Sequence, residues 1–270
     1  MDELTVLLPA YNEEKNVETL VARWQEFCNP LKERYGLSLQ IVVVNDGSSD
    51  QTMAIGEILM KKYNNFTLVN HEKNKGLGEA LKTAVTYVLQ SCPNSIFACL
   101  MDCDNTHDPK YIMDMLEKAG SKKEILDADV VIASRYQKGA RVQGVAKYRL
   151  LASEGAKYVY GGLLHIKGVK DYTCGYRLYS KQILNKAHEY FGDKIVEEKD
   201  FTCMAELLYK LHIVNACFAE IPFELRYDFK QGESKMKVVK TAINSIKLAH
   251  RLRRLKSNTQ KDVHHECIKT

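Results

Sequence analysis

Apolar and polar positions follow two rhythms along the first half of the chain. "LTVLLPA" (Leu4 to Ala10) is a short apolar run that Pro9 brings to a stop, and "LQIVVVND" (Leu39 to Asp46) is β-branched with no polar alternation. Continuous runs of this length predict strands covered on both faces, because a strand with one wet face would alternate. "FTLVN", "SIFACLMD" and "ADVVIASR" (starting at Phe66, Ser95 and Ala128) are three further strand candidates. Between them the period changes to that of a helix. Val17, Leu20, Val21 and Trp24 form one stripe, and Ile55 and Leu59 follow Ser49 and Asp50, which suit a helix cap. Leu77, Leu81, Ala84 and Val88 form a third stripe behind Gly76 and Gly78, and Ile112, Met115, Leu116 and Ala119 a fourth. Repeated β-α units predict an α/β fold, a mostly parallel sheet with helices on both faces. From about Arg135 to Gly175 the chain turns rich in Gly, Tyr and basic residues, which predicts a loop, a helix and a loop.

Composition narrows the class. A chain of 270 residues, 45% hydrophobic, can bury one large α/β core. No apolar run approaches the ~20 residues that span a bilayer, and "MDELTVLLPAYNEE" lacks the basic n-region of a secretory leader. The eight cysteines have no CxxC pair and no zinc-type spacing, so we expect reduced thiols in a cytoplasmic protein. The net charge of +5 is uneven: residues 235–270 carry ten Lys/Arg against two Asp/Glu, which leaves the rest of the chain at −3. We therefore expect a catalytic domain over 1–234 and a basic helical appendage over 235–270. On a helix from Val238 to Lys256, Val239, Ala242, Ile243, Ile246 and Ala249 share one face. Lys240, Lys247, Arg251 and Arg254 form a ridge, and Leu248, Leu252 and Leu255 a third face. One apolar face can pack on the domain; the other, beside the basic ridge, suits an anionic membrane surface or a dimer seam.

Polar clusters fall at the predicted strand ends: Tyr11, Asn12 and Glu13; Asn45, Asp46 and Gly47; Asn70, His71 and Glu72; Asp102, Asp104 and Thr106. In an open α/β sheet such ends line one ligand crevice. Asp102 and Asp104 sit two apart, where both carboxylates can turn to one point. Without a cation they would repel; Mg²⁺ or Mn²⁺ removes the conflict and holds substrate phosphates. Asp108-Pro109 reads as a helix start, and His107 as a loop histidine beside it.

"LLPAYNEEKNVETL", "VVNDGSSDQT", "NKGLGEAL", "MDCDNTHDP", "IASRY" and "DYTCGYRLY" together resemble the ordered motifs of family-2 glycosyltransferases with the GT-A fold. The pattern is most similar to the polyprenyl-phosphate (dolichyl-phosphate) mannose synthases, over about Leu4 to Met236. The resemblance implies a nucleotide-diphosphate sugar donor, GDP-mannose or a UDP-sugar, and an inverting transfer to a polyprenyl phosphate. It implies that Pro9, Ala10, Tyr11, Glu13 and Asp46 hold the donor's base and ribose, with Lys75 and Gly78 approaching the nucleotide. Asp102 and Asp104 would be the metal-binding DxD pair, with Thr106 as a third ligand. Ser134, Arg135, Arg149 and Ser153 would face the acceptor phosphate, Arg177 ends the "DYTCGYR" element as a catalytic candidate, and Arg226 and Lys235 would meet the donor diphosphate. A phosphate acceptor is already ionised and needs no strong base; a saccharide hydroxyl would need one, with Asp171, Glu197, Glu198, Asp200 and Glu206 as candidates. "YDFKQ" intervenes between Arg226 and Gly232, unlike the mannose synthases, which bears on the choice of donor sugar. A sugar-nucleotide-forming nucleotidyltransferase would need a glycine-rich loop where "AYNEE" stands. A non-catalytic module would not need the DxD pair together with Arg135, Arg149 and Arg177. No nucleic-acid partner is expected.

Overall fold

The parallel register of the first strands decides the layout. In the computed structural model the described residues are 1–145, 147–229 and 243–255; the side chains of 147–153, 156 and 229 are not among them. The elements run β1 (Glu3–Ala10), α1 (Val17–Gln25), α2 (Cys28–Tyr35), β2 (Ser38–Asn45), α3 (Thr52–Lys62), β3 (Phe66–Asn70), α4 (Leu77–Ser91), β4 (Ser95–Leu100) and α5 (Tyr111–Lys118). They continue with β5 (Val130–Ser134), β6 (Arg141–Gln143), α6 (Lys147–Leu164), β7 (Arg177–Ser180), α7 (Lys181–Phe191), α8 (Cys203–Ile213), β8 (Phe218–Pro222) and β9 (Glu224–Arg226). A last helix, α9, covers 243–255.

The main sheet has seven strands in the order β3-β2-β1-β4-β7-β5-β8. β1 pairs in parallel with both β2 and β4, and β2 with β3, so the carboxyl ends of these four strands lie on one edge. β7 runs antiparallel between β4 and β5, and β8 is parallel to β5. This is a mostly parallel sheet flanked by helices, as the motif resemblance implies. The chain moves outward from β1 to β2 and β3, then returns to β4 on the other side of β1. Strand order therefore reverses between β1 and β4, where α/β sheets open a ligand crevice.

Local sequence explains the frame. The β2 run Ile41 to Val44 is fully buried, as expected for a strand packed on both faces. Pro9 lies inside β1 rather than ending it. Leu7 accepts from Met101 on the β4 side, so Pro9, two residues on, faces the same side, beyond the last β1–β4 pair at Leu7 and Leu100. The missing N–H there costs no ladder bond. Val17, Leu20, Val21 and Trp24 of α1 are all fully buried, the stripe expected from their spacing. α9 buries Ser245, Leu248, Ala249 and Leu252 and leaves Ile243 51% and Ile246 47% exposed. The leucine face is thus the one that packs. Val239, Lys240 and Ala242 lie outside the described residues, and among the described residues no helix is long and apolar enough to cross a membrane. The seven described cysteines are free thiols.

Candidate active site

Three loops at the β1, β2 and β4 ends are laced together. Asn12 takes a left-handed conformation (φ 52°), a shape asparagine tolerates. Its amide donates to Ser48 Oγ (2.9 Å), and its Oδ1 accepts from the Ser49 amide (2.8 Å). The Glu13 amide donates to Thr52 Oγ1 (2.8 Å), and Glu13 Oε2 accepts from Asn16 Nδ2 (2.7 Å). Asn105, also left-handed at φ 60°, donates from Nδ2 to the carbonyl and the side-chain oxygen of Asn16, both at 3.2 Å. The "YNEE" loop and the DxD loop therefore share one scaffold, so Glu13 and Asp104 are held by a common set of bonds. Asn16 and Asn105 escaped the sequence reading. Their side chains serve backbone geometry: Asn105 sits in a left-handed turn, and Asn16, at the start of α1, bonds Glu13 and Asn105.

Asp46 sits at the mouth of β2, 3% exposed. Its Oδ1 pairs with His71 Nδ1 (2.7 Å) and accepts from the Lys75 amide (2.9 Å), while Oδ2 accepts from the Gly76 amide (2.9 Å). Asp46 thus shapes the turn that presents Lys75 and starts α4, rather than pointing both oxygens at a ligand. Gly76 (φ 97°) and Gly78 lack side chains for a definite reason: a Cβ on Gly78 would strike the Glu198 carbonyl, and one on Gly76 would come 2.6 Å from the Lys199 carbonyl. The Gly78 amide donates to that Lys199 oxygen (3.2 Å), so the loop before α8 forms one wall here.

Asp102 and Asp104 follow the end of β4, on the same sheet edge as the β1 and β2 loops. Asp104 is 8% exposed, and its Oδ1 accepts from the amide (3.2 Å) and hydroxyl (2.6 Å) of Thr106. Thr106, expected as a third metal ligand, orients Asp104 through these two bonds. Its carbonyl accepts from the Arg226 amide (3.0 Å), which brings β9 against the DxD loop. The Arg226 side chain forks onto Asp228 (Nη2 to Oδ2, 2.7 Å); this hydrogen bond, with Arg226's charge, draws the exposed Asp228 carboxyl below its ordinary range. Asp102 faces Gly175, where a Cβ would come 2.8 Å from its Oδ1. That glycine is what lets the "TCGYR" loop close over the first aspartate. His107 is buried among Tyr176 and Phe223, with ring centroids 5.4 and 5.5 Å away.

Other candidates among the described residues are engaged with the protein itself. Arg177 is fully buried and donates to the Met204 carbonyl (2.6 Å) and the Tyr172 carbonyl (2.8 Å). It ties β7 to α8 from a fully buried position. Ser134 is fully buried, with its Oγ accepting from the Tyr136 amide (3.2 Å). Arg135 pairs with Asp171: Nη2 to Oδ1 is 2.6 Å and Nε to Oδ2 2.8 Å, with a further bond from Nη2 to Thr173 Oγ1 (2.6 Å). Asp171 is itself fully buried and cannot serve as a general base. Burial pushes its carboxyl up, but the charge and hydrogen bonds of Arg135 outweigh this and hold it below the ordinary range. Glu206 is also fully buried, out of reach of an acceptor hydroxyl. Arg149 and Ser153 lie on α6, but their side chains, like the whole of Lys235, fall outside the described residues.

The family model for Glycosyl transferase family 2 matches residues 5–187, which include both acidic loops and the strands that carry them. The chain belongs to glycosyl transferase family 2. It is 30% identical over 253 residues to a dolichol-phosphate mannosyltransferase of Pyrococcus furiosus, covering 93% of this chain and 63% of that protein. The chain thus spans less than two thirds of that relative's length. It is 28% identical over 233 residues to a polyprenol monophosphomannose synthase of Mycolicibacterium smegmatis, covering 86% of this chain and 80% of that one. Glucosyl-3-phosphoglycerate synthase of Mycobacterium tuberculosis, solved with phosphoglyceric acid, superposes with a TM-score of 0.63 at 16% identity, covering 92% of this chain and 80% of that one; this likeness concerns the fold.

In this family 2 chain the residues present fit a hard divalent cation of modest protein ligation. Among the described residues no cluster of three or more His, Cys, Asp or Glu could form a closed metal cage. Two carboxylates at a crevice mouth, with a glycine in place of a side chain over one of them, suit an ion that completes its shell from substrate phosphates and water.

Proposed function

We propose that the chain is an inverting glycosyltransferase that moves a sugar from a nucleoside diphosphate sugar, GDP-mannose or a UDP-sugar, to a polyprenyl phosphate. The observation that carries this reading is the crevice at the β1/β4 reversal. There the Asp46-built turn presents Lys75, the loop after β4 carries Asp102 and Asp104, and the Arg226 amide bonds the Thr106 carbonyl of that same loop. The relatives named dolichol-phosphate mannosyltransferase and polyprenol monophosphomannose synthase support a lipid-phosphate acceptor. In the reaction an acceptor phosphate oxygen attacks the anomeric carbon from the face opposite the diphosphate. The bond from that carbon to the diphosphate oxygen breaks, and the nucleoside diphosphate departs with the electron pair. Mg²⁺ or Mn²⁺ held by Asp102 and Asp104 would neutralise charge on the diphosphate. Arg226 and Lys235 would add cationic stabilisation once the donor displaces Asp228 from Arg226. No strong base is needed, which agrees with the burial of Asp171 and Glu206 in ion pairs. Calorimetry tests the crevice: Asp102→Asn and Asp104→Asn should abolish metal-dependent nucleotide binding with the fold retained. Unchanged affinity in both variants would remove the DxD assignment.

We also propose that α9 rests the enzyme on an anionic membrane. Exposed Ile243 and Ile246 stand beside exposed Lys247, His250, Arg253 and Arg254, and each basic residue near such a surface contributes ~1 kcal/mol. Full-length protein should sediment with phosphatidylserine vesicles in low salt and release in high salt. Equal sedimentation of protein truncated after Lys237 would rule the membrane contact out and leave α9 as structure.

A further inference from the structure

The wall that Gly76 and Gly78 press against is held from behind by the last helix. Glu206 of α8 is fully buried and serves four donors. Its Oε2 accepts from the amides of Glu197 (2.9 Å) and Glu198 (2.7 Å), and its Oε1 from Lys210 Nζ (2.8 Å) and Arg251 Nη2 (3.2 Å). Lys210, 1% exposed, also pairs with Glu197 Oε2 (2.8 Å) and donates to the Lys194 carbonyl. Arg251 Nη2 reaches Glu198 Oε1 as well (2.9 Å). One loop further, Asn244 Nδ2 donates to Asp200 Oδ2 (2.7 Å), and Asp200 Oδ1 fixes the amide (2.9 Å) and hydroxyl (2.6 Å) of Thr202.

Asn244 and Arg251 are seven residues apart, two helical turns along one face of α9, ~10 Å. They grip the two ends of the 198–200 loop, while Leu248, Ala249 and Leu252 seat that helix between them. The charge arithmetic makes the grip matter. Glu206 is the buried centre of this cluster, with Glu198 partly buried and Glu197 at the surface, answered by buried Lys210 and by Arg251, which keeps 47% of its side-chain surface exposed. Remove Arg251 and the Glu198 carboxylate loses its ion-pair partner beside the buried Glu206. The relief open to the protein is to move the 197–200 loop outward. That loop carries the Lys199 carbonyl bonded to the Gly78 amide, and Gly78 opens the helix whose first turn Asp46 holds beside Lys75.

We propose that Arg251, with Asn244, is a positioning residue for the donor pocket: α9 clamps the Glu198–Asp200 loop against Gly76 and Gly78 and so sets the width of the nucleotide side of the crevice. This rests on the nucleotide reading of that crevice given above. The role lies far from the chemistry in sequence and touches no substrate, so its signature is a change in donor affinity rather than in turnover.

The test uses the full chain with Arg251→Met, Arg251→Lys and Asn244→Ala, below the melting temperature of each, with GDP and UDP in the presence of Mn²⁺ as probes. Arg251→Met should weaken binding of whichever nucleotide the wild type takes at least tenfold and raise the donor KM to match. Its kcat at saturating donor should stay within about twofold, and Arg251→Lys should recover part of the affinity. Hydrogen exchange is the second readout: the Glu197, Glu198 and Gly78 amides should lose protection in Arg251→Met. Unchanged exchange at these amides overturns the clamp whatever the nucleotide result. Faster exchange with wild-type nucleotide affinity overturns its positioning role. If the wild type binds neither nucleotide while exchange responds as stated, the reading of the crevice fails and takes the positioning role with it.

Discussion

Replacing Asp171 with asparagine should unfold more of this protein's stability than any surface change. Asp171 is fully buried and accepts five hydrogen bonds among the described residues: from the amide, Nε and Nη2 of Arg135 (3.0, 2.8 and 2.6 Å), and from the amides of Thr173 (3.2 Å) and Cys174 (3.0 Å). The partner guanidinium keeps only 18% of its side-chain surface exposed. Asparagine preserves the shape but leaves Arg135 as an uncompensated buried charge, a class of change that costs ~3–5 kcal/mol. Against a total stability of about 5–15 kcal/mol, that is a large share. With a urea slope of about 2–3 kcal/mol/M, the unfolding midpoint should drop by about 1–2.5 M. The pH dependence carries the same information. The folded-state pKa of Asp171 is depressed below its unfolded value of ~3.9. Its stabilisation is therefore complete above that value and is lost as pH falls through the folded pKa. Wild-type stability should fall in acid below about pH 4 more steeply than that of Asp171→Asn. A midpoint shift equivalent to under ~1 kcal/mol, or an unchanged acid slope in the variant, would refute the assignment of Arg135 to a buried loop-holding pair. It would return the arginine to the pool of acceptor ligands.

Two further outcomes follow from the packing. Gly78→Ala places a methyl group against the Glu198 carbonyl and should cost ~1–3 kcal/mol in thermal unfolding while weakening nucleotide binding; a variant with normal melting and normal affinity would show that the α4–loop contact is slack. Leu252→Ala opens a cavity under α9 and should cost ~2–5 kcal/mol, read as lost exchange protection confined first to 243–255; unchanged protection there would show that the helix is held by its polar anchors alone.

Much of the frame was legible because continuous apolar runs leave few choices. Leu39 to Val44 can only be a covered strand, and the stripe from Val17 to Trp24 can only be a packed helix face. The acidic loops were legible for the same reason, since they follow strands whose ends must share an edge. The second half was harder. "RLYS" became β7, a four-residue antiparallel strand inserted between β4 and β5, with no alternation to announce it. α8 buries Glu206 and Lys210 along with its leucines, so its pattern lacks a polar face to set against an apolar one. Charged side chains misled for a single reason. A sequence shows that Arg135 and Arg177 are cationic but not that Asp171, 36 residues on, claims the first, or that the carbonyls of Tyr172 and Met204 take the second. The role of Arg251 was hidden in the same way: on a helical wheel it belongs to a solvated basic ridge, and only tertiary contact gives it Glu198 and Glu206.

The most direct measurement is transfer itself. Purified full-length protein is incubated with Mn²⁺, a panel of labelled GDP- and UDP-sugars, and a short-chain polyprenyl phosphate dispersed in detergent, and label is counted in the organic phase. One donor should give an organic-soluble glycosyl phosphate of inverted anomeric configuration, with no product from Asp104→Asn. Absence of lipid product with every donor, while a free saccharide hydroxyl is glycosylated, would contradict the account.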